Sequence, residues 1–330
     1  MRALVTGGGG FLGKAIVQRL VARGEAVRSF SRGDYPDLRA LGVEVVQGDL
    51  VDAAAVRQAV RGVDVVFHVA AKPGIWGRYR VYYEANVLGT LHVLEACRQH
   101  DIQRLVYTSS PSVVFHGQDM EGADETVPYP DHYDAHYPRT KAIAERRVLQ
   151  ANCPRLATVA LRPHLIWGPG DNHLVPRIIA RARAGLLRRI GDRPNLVDSV
   201  YIDNAAAAHL LAADRLHPGS PLGGKAYFIA QGEPVPLWDL INRILAAADL
   251  PPVTRTIPPR VAYAAGWLLE LLWRIQGRQD EPRMTRFLAG ELSTAHWFNL
   301  AAAKRDLGYE PEVSLAEGLE RLREWLKRSH

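Results

Sequence analysis

Arg2-Ala3-Leu4-Val5-Thr6-Gly7-Gly8-Gly9-Gly10-Phe11-Leu12-Gly13 opens the chain. An apolar run of strand length leads into glycines at 7, 10 and 13, and an amphipathic helical pattern follows. That order is what a dinucleotide's pyrophosphate needs. Gly7 permits the tight turn, Gly10 lets backbone approach the phosphates, and Gly13 lets helix and strand pack closely. The free N–H groups and positive dipole end of the helix face the anion. Phe11 and Leu12 belong to the same cofactor-binding turn.

Outward from this turn, apolar runs alternate with helical patterns. Strands are expected at 3–6, 26–30, 43–47, 63–69, 104–109 and 156–161. Helices are expected at 12–23, 53–60, 82–100 and 137–150. Buried strands separated by amphipathic helices predict an α/β fold, a doubly wound parallel Rossmann sheet. Past Pro163 the pattern loosens: 197–202 reads as a strand, 203–213 as a helix with Asp203 near its N-cap, and 226–230 as a late strand. From Pro234 onward the chain is mainly helical and holds five of the seven tryptophans. The expected division is a nucleotide-binding domain over 1–164, to which 197–230 returns. A smaller, mainly helical substrate domain takes 165–196 and 231–330.

Composition narrows the function. An apolar fraction of 47% with 23% charged residues is that of a globular protein, not a disordered one. Cys97 and Cys153 make no metal-ligand or redox spacing and read as buried thiols in a reducing compartment. No leader pattern precedes the first strand, so a cytoplasmic location is expected. The net charge of +6 owes much to arginines between Arg177 and Arg193, opposed there only by Asp192. Without interleaved aromatics or a nucleic-acid module, this stretch reads as a solvated face or a docking site for an anion, not a nucleic-acid surface. The apolar segment 261–275 would form a helix about 22 Å long, short of the roughly 30 Å bilayer core. It predicts a buried helix, with a greasy pocket wall or a surface resting on lipid as the alternatives, and no transmembrane span.

The second strand ends Ser29-Phe30-Ser31-Arg32. A site for NAD(H) usually carries Asp or Glu here for the ribose 2′-hydroxyl. Ser31 and Arg32 instead suit a 2′-phosphate, which arginine pairs with bidentately. NADP(H) is therefore preferred; Asp34, three residues past Ser31, leaves NAD(H) open. Asp49, in Gly48-Asp49-Leu50, is placed either to accept from the adenine amino group or to cap the next helix.

Tyr137-Pro138-Arg139-Thr140-Lys141 sets a phenol and an ammonium four residues apart, on one helix face. Pro138 suits a first turn and puts the helix boundary at Tyr137. A free tyrosine near pKa 10 transfers protons poorly at neutral pH; an adjacent ammonium and a cationic nicotinamide ring favour its phenolate. Tyr137 then exchanges a proton with a carbinol oxygen, and Lys141 also reaches the nicotinamide ribose. Ser110, at the end of the fifth strand, lies on the sheet edge where open α/β folds bind ligands and hydrogen-bonds the substrate oxygen. Asn86 orients a water or backbone group behind Lys141, or is a satisfied buried amide.

Taken together these motifs resemble the extended short-chain dehydrogenase/reductase family. They include the glycine turn, Asp49 with Leu50, His68-x-Ala70-Ala71, Asn86, Thr108-Ser109-Ser110, Tyr137-x-x-x-Lys141 and Leu161-Arg162-Pro163. Tyr201-Ile202-Asp203-Asn204-Ala205 and Leu307-Gly308-Tyr309-x-Pro311 extend the likeness over the whole chain. The resemblance implies serine, tyrosine and lysine in the roles above, with Ala70, Ala71 and Pro163 beside the cofactor. It also implies a homodimer built from the helices carrying Asn86 and Tyr137. The closer likeness is to the branch of 3β-hydroxysteroid and sterol-4-carboxylate dehydrogenases. Within it, the chain is similar to the bacterial 2-alkyl-3-oxoalkanoate reductases of olefin biosynthesis. Ala70-Ala71-Lys72-x-Gly74-x-Trp76-Gly77, Ser109-Ser110-Pro111-Ser112-Val113, Trp167-Gly168-Pro169-Gly170-Asp171 and His296-Trp297 carry that likeness.

The implied substrate is a large apolar 3-oxo or 3-hydroxy acid with long chains; a hydroxysteroid or sterol is the alternative. A sugar-nucleotide epimerase or dehydratase would share the glycine turn but usually prefers NAD, against which Ser31-Arg32 argues. A non-catalytic NADP(H) sensor would commonly lack the tyrosine or the lysine. A peripheral contact with a membrane or an enzyme complex is the remaining partner expectation.

Overall fold

The computed structural model describes residues 1–328. Seven parallel strands form the central sheet, in the spatial order Lys225–Ile229, Ala157–Pro163, Arg104–Thr108, Val65–His68, Arg2–Thr6, Ala26–Ser31, Glu44–Gln47. Their residues are apolar on both faces because helices cover both; Leu4, Val5, Val66, Phe67, Leu105, Val106, Leu161 and Phe228 are all buried. The chain runs from Arg2–Thr6 outward to Glu44–Gln47, then crosses back to Val65–His68 on the other side of the first strand. The order in which strands are added reverses there, and the crevice at the carboxyl ends of Arg2–Thr6 and Val65–His68 is where such sheets bind ligands.

The expected strands and helices lie within a residue or two of the observed ones, with informative exceptions. The helix expected at 82–100 is Tyr79–Tyr82, a π-helical turn Tyr83–Leu88 and then Gly89–Gln99. The wider turn carries Asn86. Segment 197–202 is two short strands, Leu196–Val197 and Val200–Tyr201, on separate small sheets, because Asp198 leaves the ladder to accept from the Gln231, Gly232 and Glu233 amides. Asp203 sits in the first turn of Ile202–Arg215, whose N-cap is Tyr201. Cys97 is buried as expected; Cys153 is exposed, in the turn after the helix His136–Gln150.

The largest departure is the apolar segment. It forms the helix Pro259–Ile275, but only Ala262, Gly266 and Glu270 are buried. Val261, Tyr263, Trp267, Leu268, Leu271, Leu272 and Ile275 are each between 38% and 74% exposed. Small Gly266 packs against the Thr285–Arg286 backbone, where a Cβ would lie 2.6 Å from the Thr285 carbonyl carbon. Glu270 accepts from the Arg286 amide (2.7 Å) and guanidinium (2.9 Å). The polar and small residues therefore face the protein and the large apolar ones face out, the reverse of an ordinary surface helix. Among the described residues no helix is long and apolar enough to cross a membrane.

Candidate active site

The glycine turn has the geometry an anion requires. Gly7 holds φ +69°, donates its N–H to the Phe30 carbonyl (2.8 Å), and comes so close to the fourth strand's end that a Cβ would lie 3.0 Å from Ala70 Cα. A Cβ on Gly13 would stand 2.1 Å from the Gly7 oxygen, so helix and turn touch through bare backbone. The helix Phe11–Ala22 begins at Gly10 with no side-chain cap and no acid in its first turn. Its first N–H groups remain available to phosphate oxygens. Leu12 is buried beneath, Phe11 and Ala71 are half-buried, and the Ala70 N–H is fixed by Thr6 Oγ1 (3.2 Å).

At the adenosine end, Ser31 is buried and its hydroxyl has no hydrogen-bond partner among the described residues; the same holds for Ser29. Arg32 is exposed, and its guanidinium has no carboxylate partner there. Asp34, the acid that left NAD(H) open, is ion-paired with Arg39. Tyr35 lies across Gly9, where any Cβ would collide with its ring. Asp49 is exposed and accepts only from the Val51 amide (3.1 Å). The cap of the next helix is Asp52, which accepts from Ala54 and Ala55, so the capping alternative for Asp49 is corrected. Leu50 is buried against Gly89.

The helix His136–Gln150 carries the catalytic candidates. Ala135 is its N-cap and Tyr137 its second residue, so the helix starts one position before the boundary inferred from Pro138. Ser110, whose hydroxyl meets Ser112 Oγ at 2.9 Å, stands close enough to the Tyr137 phenol to act on its ionisation. Burial dominates and raises the phenol above its ordinary value, with Ser110 pulling the other way. The lowering expected from Lys141 is therefore not produced by the protein alone. The Lys141 ammonium instead donates to the Thr108 carbonyl at 2.5 Å and lies 4.2 Å over the Tyr107 ring. Burial depresses it to about 7, opposed by Glu145.

Asn86 does not reach Lys141. Its side chain accepts from the Lys72 amide (2.6 Å) and donates to Thr140 Oγ1 (3.0 Å), tying the loop after the fourth strand to the catalytic helix. Both Asn86 side-chain groups are thus satisfied within the protein, one of them by a backbone amide. Pro163 is buried at the end of its strand, one strand beyond Thr108.

Two features lay outside the sequence reading. Glu145, fully buried, accepts bidentately from Arg162 (2.7 and 3.0 Å) and from the Tyr129 hydroxyl (2.5 Å). This pins the catalytic helix to the sixth strand, one turn past Lys141; the Lys141–Glu145 spacing of four was the available signal. The second is a His164, His296 and Glu291 grouping. No spacing could reveal it, because His164 lies far along the chain from Glu291 and His296.

Comparison with known proteins places these features in context. Residues 4–259 match the 3-beta hydroxysteroid dehydrogenase/isomerase family. A 2-alkyl-3-oxoalkanoate reductase of Stenotrophomonas maltophilia is 54% identical over 98% of this chain and 98% of its own length. The mouse sterol-4-alpha-carboxylate 3-dehydrogenase (decarboxylating) is 37% identical over 97% of this chain and 89% of its own. Among solved structures, a Thermus thermophilus UDP-glucose 4-epimerase in complex with NAD superposes with a TM-score of 0.76 and 25% identity, covering 100% of both chains.

Proposed function

This chain belongs to the 3-beta hydroxysteroid dehydrogenase/isomerase family, and from that premise we propose that it is an NADP(H)-dependent oxidoreductase interconverting the 3-oxo and 3-hydroxy forms of long-chain 2-alkyl-3-oxoalkanoic acids. The observation that carries the reading is the placing of Lys141 one turn behind Tyr137 on one helix, with the Lys141 ammonium on the Thr108 carbonyl at the carboxyl end of the strand that leads to Ser110. The bound nicotinamide supplies or takes up a hydride at the carbinol carbon. Ser110 holds the substrate oxygen, and Tyr137 gives that oxygen its proton in reduction or removes it in oxidation. Lys141 contributes positive charge that favours the phenolate at or below neutral pH.

NADP(H) is supported by the unpaired Arg32, the partnerless Ser31 hydroxyl and the neutralisation of Asp34 by Arg39. The outward face of Pro259–Ile275 fits a lipid-handling role. Arg255, Arg260 and Arg283 stand exposed around it without acidic partners among the described residues. A greasy stripe bordered by arginines complements an anionic bilayer surface. The helix's far end meets the catalytic region, since Arg274 lies over Trp76 and acts on His136, the residue before Tyr137. We place the two-tailed substrate's route between bilayer and cleft at this junction. The dimer through the helices bearing Asn86 and Tyr137 is part of the same proposal.

A sterol substrate is the second reading, favoured by the likeness to the mouse sterol dehydrogenase. NADPH oxidation followed across long-chain 3-oxo acids, 3-oxosteroids and UDP-sugars tests both. Turnover of the oxo acid that Tyr137→Phe lowers by about 10³-fold with unchanged cofactor affinity is expected. Turnover of UDP-sugars alone refutes the reading.

A further inference from the structure

The mechanism leaves three clustered titratable groups unused, two buried histidines and a half-buried glutamate. His164 follows the sixth strand, His296 opens the strand His296–Phe298, and Glu291 lies on the helix Arg286–Ser293. One nitrogen or oxygen atom from each lies within 4.8 Å of the others. Around them the walls are aromatic. Phe115 and Phe298 present edge-on contacts to His296 and His164 at 5.1 and 5.2 Å, and Phe287 packs on Phe115.

The grouping stands on the same carboxyl edge as the reaction centre: His164 follows the strand Ala157–Pro163, which pairs with the strand leading to Ser110, and Phe115, five residues past Ser110, packs on His296. Leu165, immediately after His164, holds φ +44°, a strained conformation for a leucine and one that functional sites retain.

The hydrogen bonds fix both histidine tautomers. His164 Nδ1 meets the Asp198 carbonyl at 2.6 Å; a carbonyl only accepts, so Nδ1 carries the proton and Nε2 is bare. Thr294 donates its hydroxyl proton to the Gly290 carbonyl (2.8 Å), so at its 2.6 Å contact with His296 it accepts, and His296 Nδ1 is bare. Two lone pairs and one carboxyl group thus meet within a shell of aromatic rings. Such a cluster repels a lone carboxylate and welcomes a group that arrives with a proton.

We propose that His164, His296 and Glu291 form the subsite for the carboxyl head of an oxo-acid substrate, which binds there together with one proton. This rests on the oxo-acid reading above. The acid enters as the neutral carboxylic acid, or as carboxylate while one proton passes from water to a bare imidazole nitrogen; the two routes balance identically. The acid's O–H, or the new imidazolium, supplies the central hydrogen bond, and protonated Glu291 donates a second. The empty-handed state of the free site agrees: burial holds His164 at about 4 and His296 at about 3, and raises Glu291 to about 7. The other charges facing the cluster are Asp119, paired with Arg193 and acting on His296, and Asp198 behind His164 with Glu233 near it. On Glu291's own helix, Arg286 is committed to Glu270.

The test compares a long-chain 3-oxo acid with its methyl ester on the full-length enzyme. For the acid, KM should rise about tenfold for each pH unit from about 5 to 7, where the free acid is ionised and Glu291 still holds its proton; for the ester it should stay level. His164→Gln and His296→Gln should raise KM for the acid at least tenfold, spare the ester, and leave the thermal midpoint within a few degrees. Calorimetry with a saturated long-chain acid in buffers of different ionisation enthalpy should show uptake of about one proton, lost in both variants. Equal losses for acid and ester, a flat acid profile, or binding without proton uptake would overturn the subsite. So would one equivalent of zinc in the purified enzyme that His296→Gln removes. If neither acid nor ester turns over, the oxo-acid reading fails, and the calorimetric proton count still decides the subsite.

Discussion

Replacing Lys141 by methionine should make this protein more stable while abolishing its activity. Lys141 is 2% exposed, and burial depresses its ammonium from 10.5 to about 7. At about 1.4 kcal/mol for each pH unit, that displacement corresponds to about 5 kcal/mol. The sign follows from proton binding. Between pH 7 and 10.5 the unfolded lysine holds a proton that the folded one has released, so stability rises with pH across that window. Below pH 7 both states are protonated and the folded state carries the whole burden of a buried charge. Methionine removes it at similar volume, but leaves the Thr108 carbonyl without its 2.5 Å donor, a loss of about 1–2 kcal/mol. A net gain of about 3 kcal/mol at pH 6 is expected, shrinking toward zero or below near pH 10.5. Thermal midpoints of both proteins at half-unit steps from pH 6 to 10 read this directly, because groups that Lys141 does not touch cancel in the difference and burial by itself keeps His68 neutral over that range. A variant that melts at or below the natural protein at pH 6, or whose difference does not vary with pH, refutes the claim that the lysine is held against its own stability. Turnover should fall at least 100-fold in the same variant.

Three further outcomes follow from other parts of the molecule. Gly13→Ala would place a methyl carbon 2.1 Å from the Gly7 oxygen, with backbone on both sides and nothing to rotate away; about 3 kcal/mol of stability and at least tenfold in cofactor affinity should be lost, measured by melting and NADPH fluorescence titration. Arg32→Ala should weaken NADPH binding by roughly 10–100-fold while leaving NADH unchanged, as expected for loss of a charge-assisted pair; equal effects on both cofactors would remove the 2′-phosphate role. Paired Trp267→Ser and Leu268→Ser changes, at positions half exposed already, should leave melting unaltered but reduce co-sedimentation with vesicles containing anionic phosphatidylglycerol at least fivefold. If the unaltered protein ignores such vesicles, the bilayer role is wrong. If it binds neutral vesicles equally well, the arginine border has no part in it.

The sequence alone was enough for the sheet, the glycine turn and the tyrosine–lysine pair, because each is written in contiguous residues. Strand periodicity, a glycine motif and a spacing of four need no knowledge of what lies elsewhere in the chain. Only tertiary structure decided the rest. Asp49 lost its capping alternative because Asp52 lies closer to the helix, and a π-helical turn aims Asn86 at Lys72 and Thr140. The helix Pro259–Ile275 reads as buried from composition, yet burial depends on which face meets a partner. Gly266 and Glu270 turn its small and polar side inward and leave its greasy side in the open. His164 is more than a hundred residues away from Glu291 and His296, so their meeting is a property of the folded chain and of no local pattern. Ionisation belongs to that level too: residue type fixes the ordinary value, and only the surroundings, dry or wet, charged or neutral, decide how far Lys141 and Tyr137 depart from it.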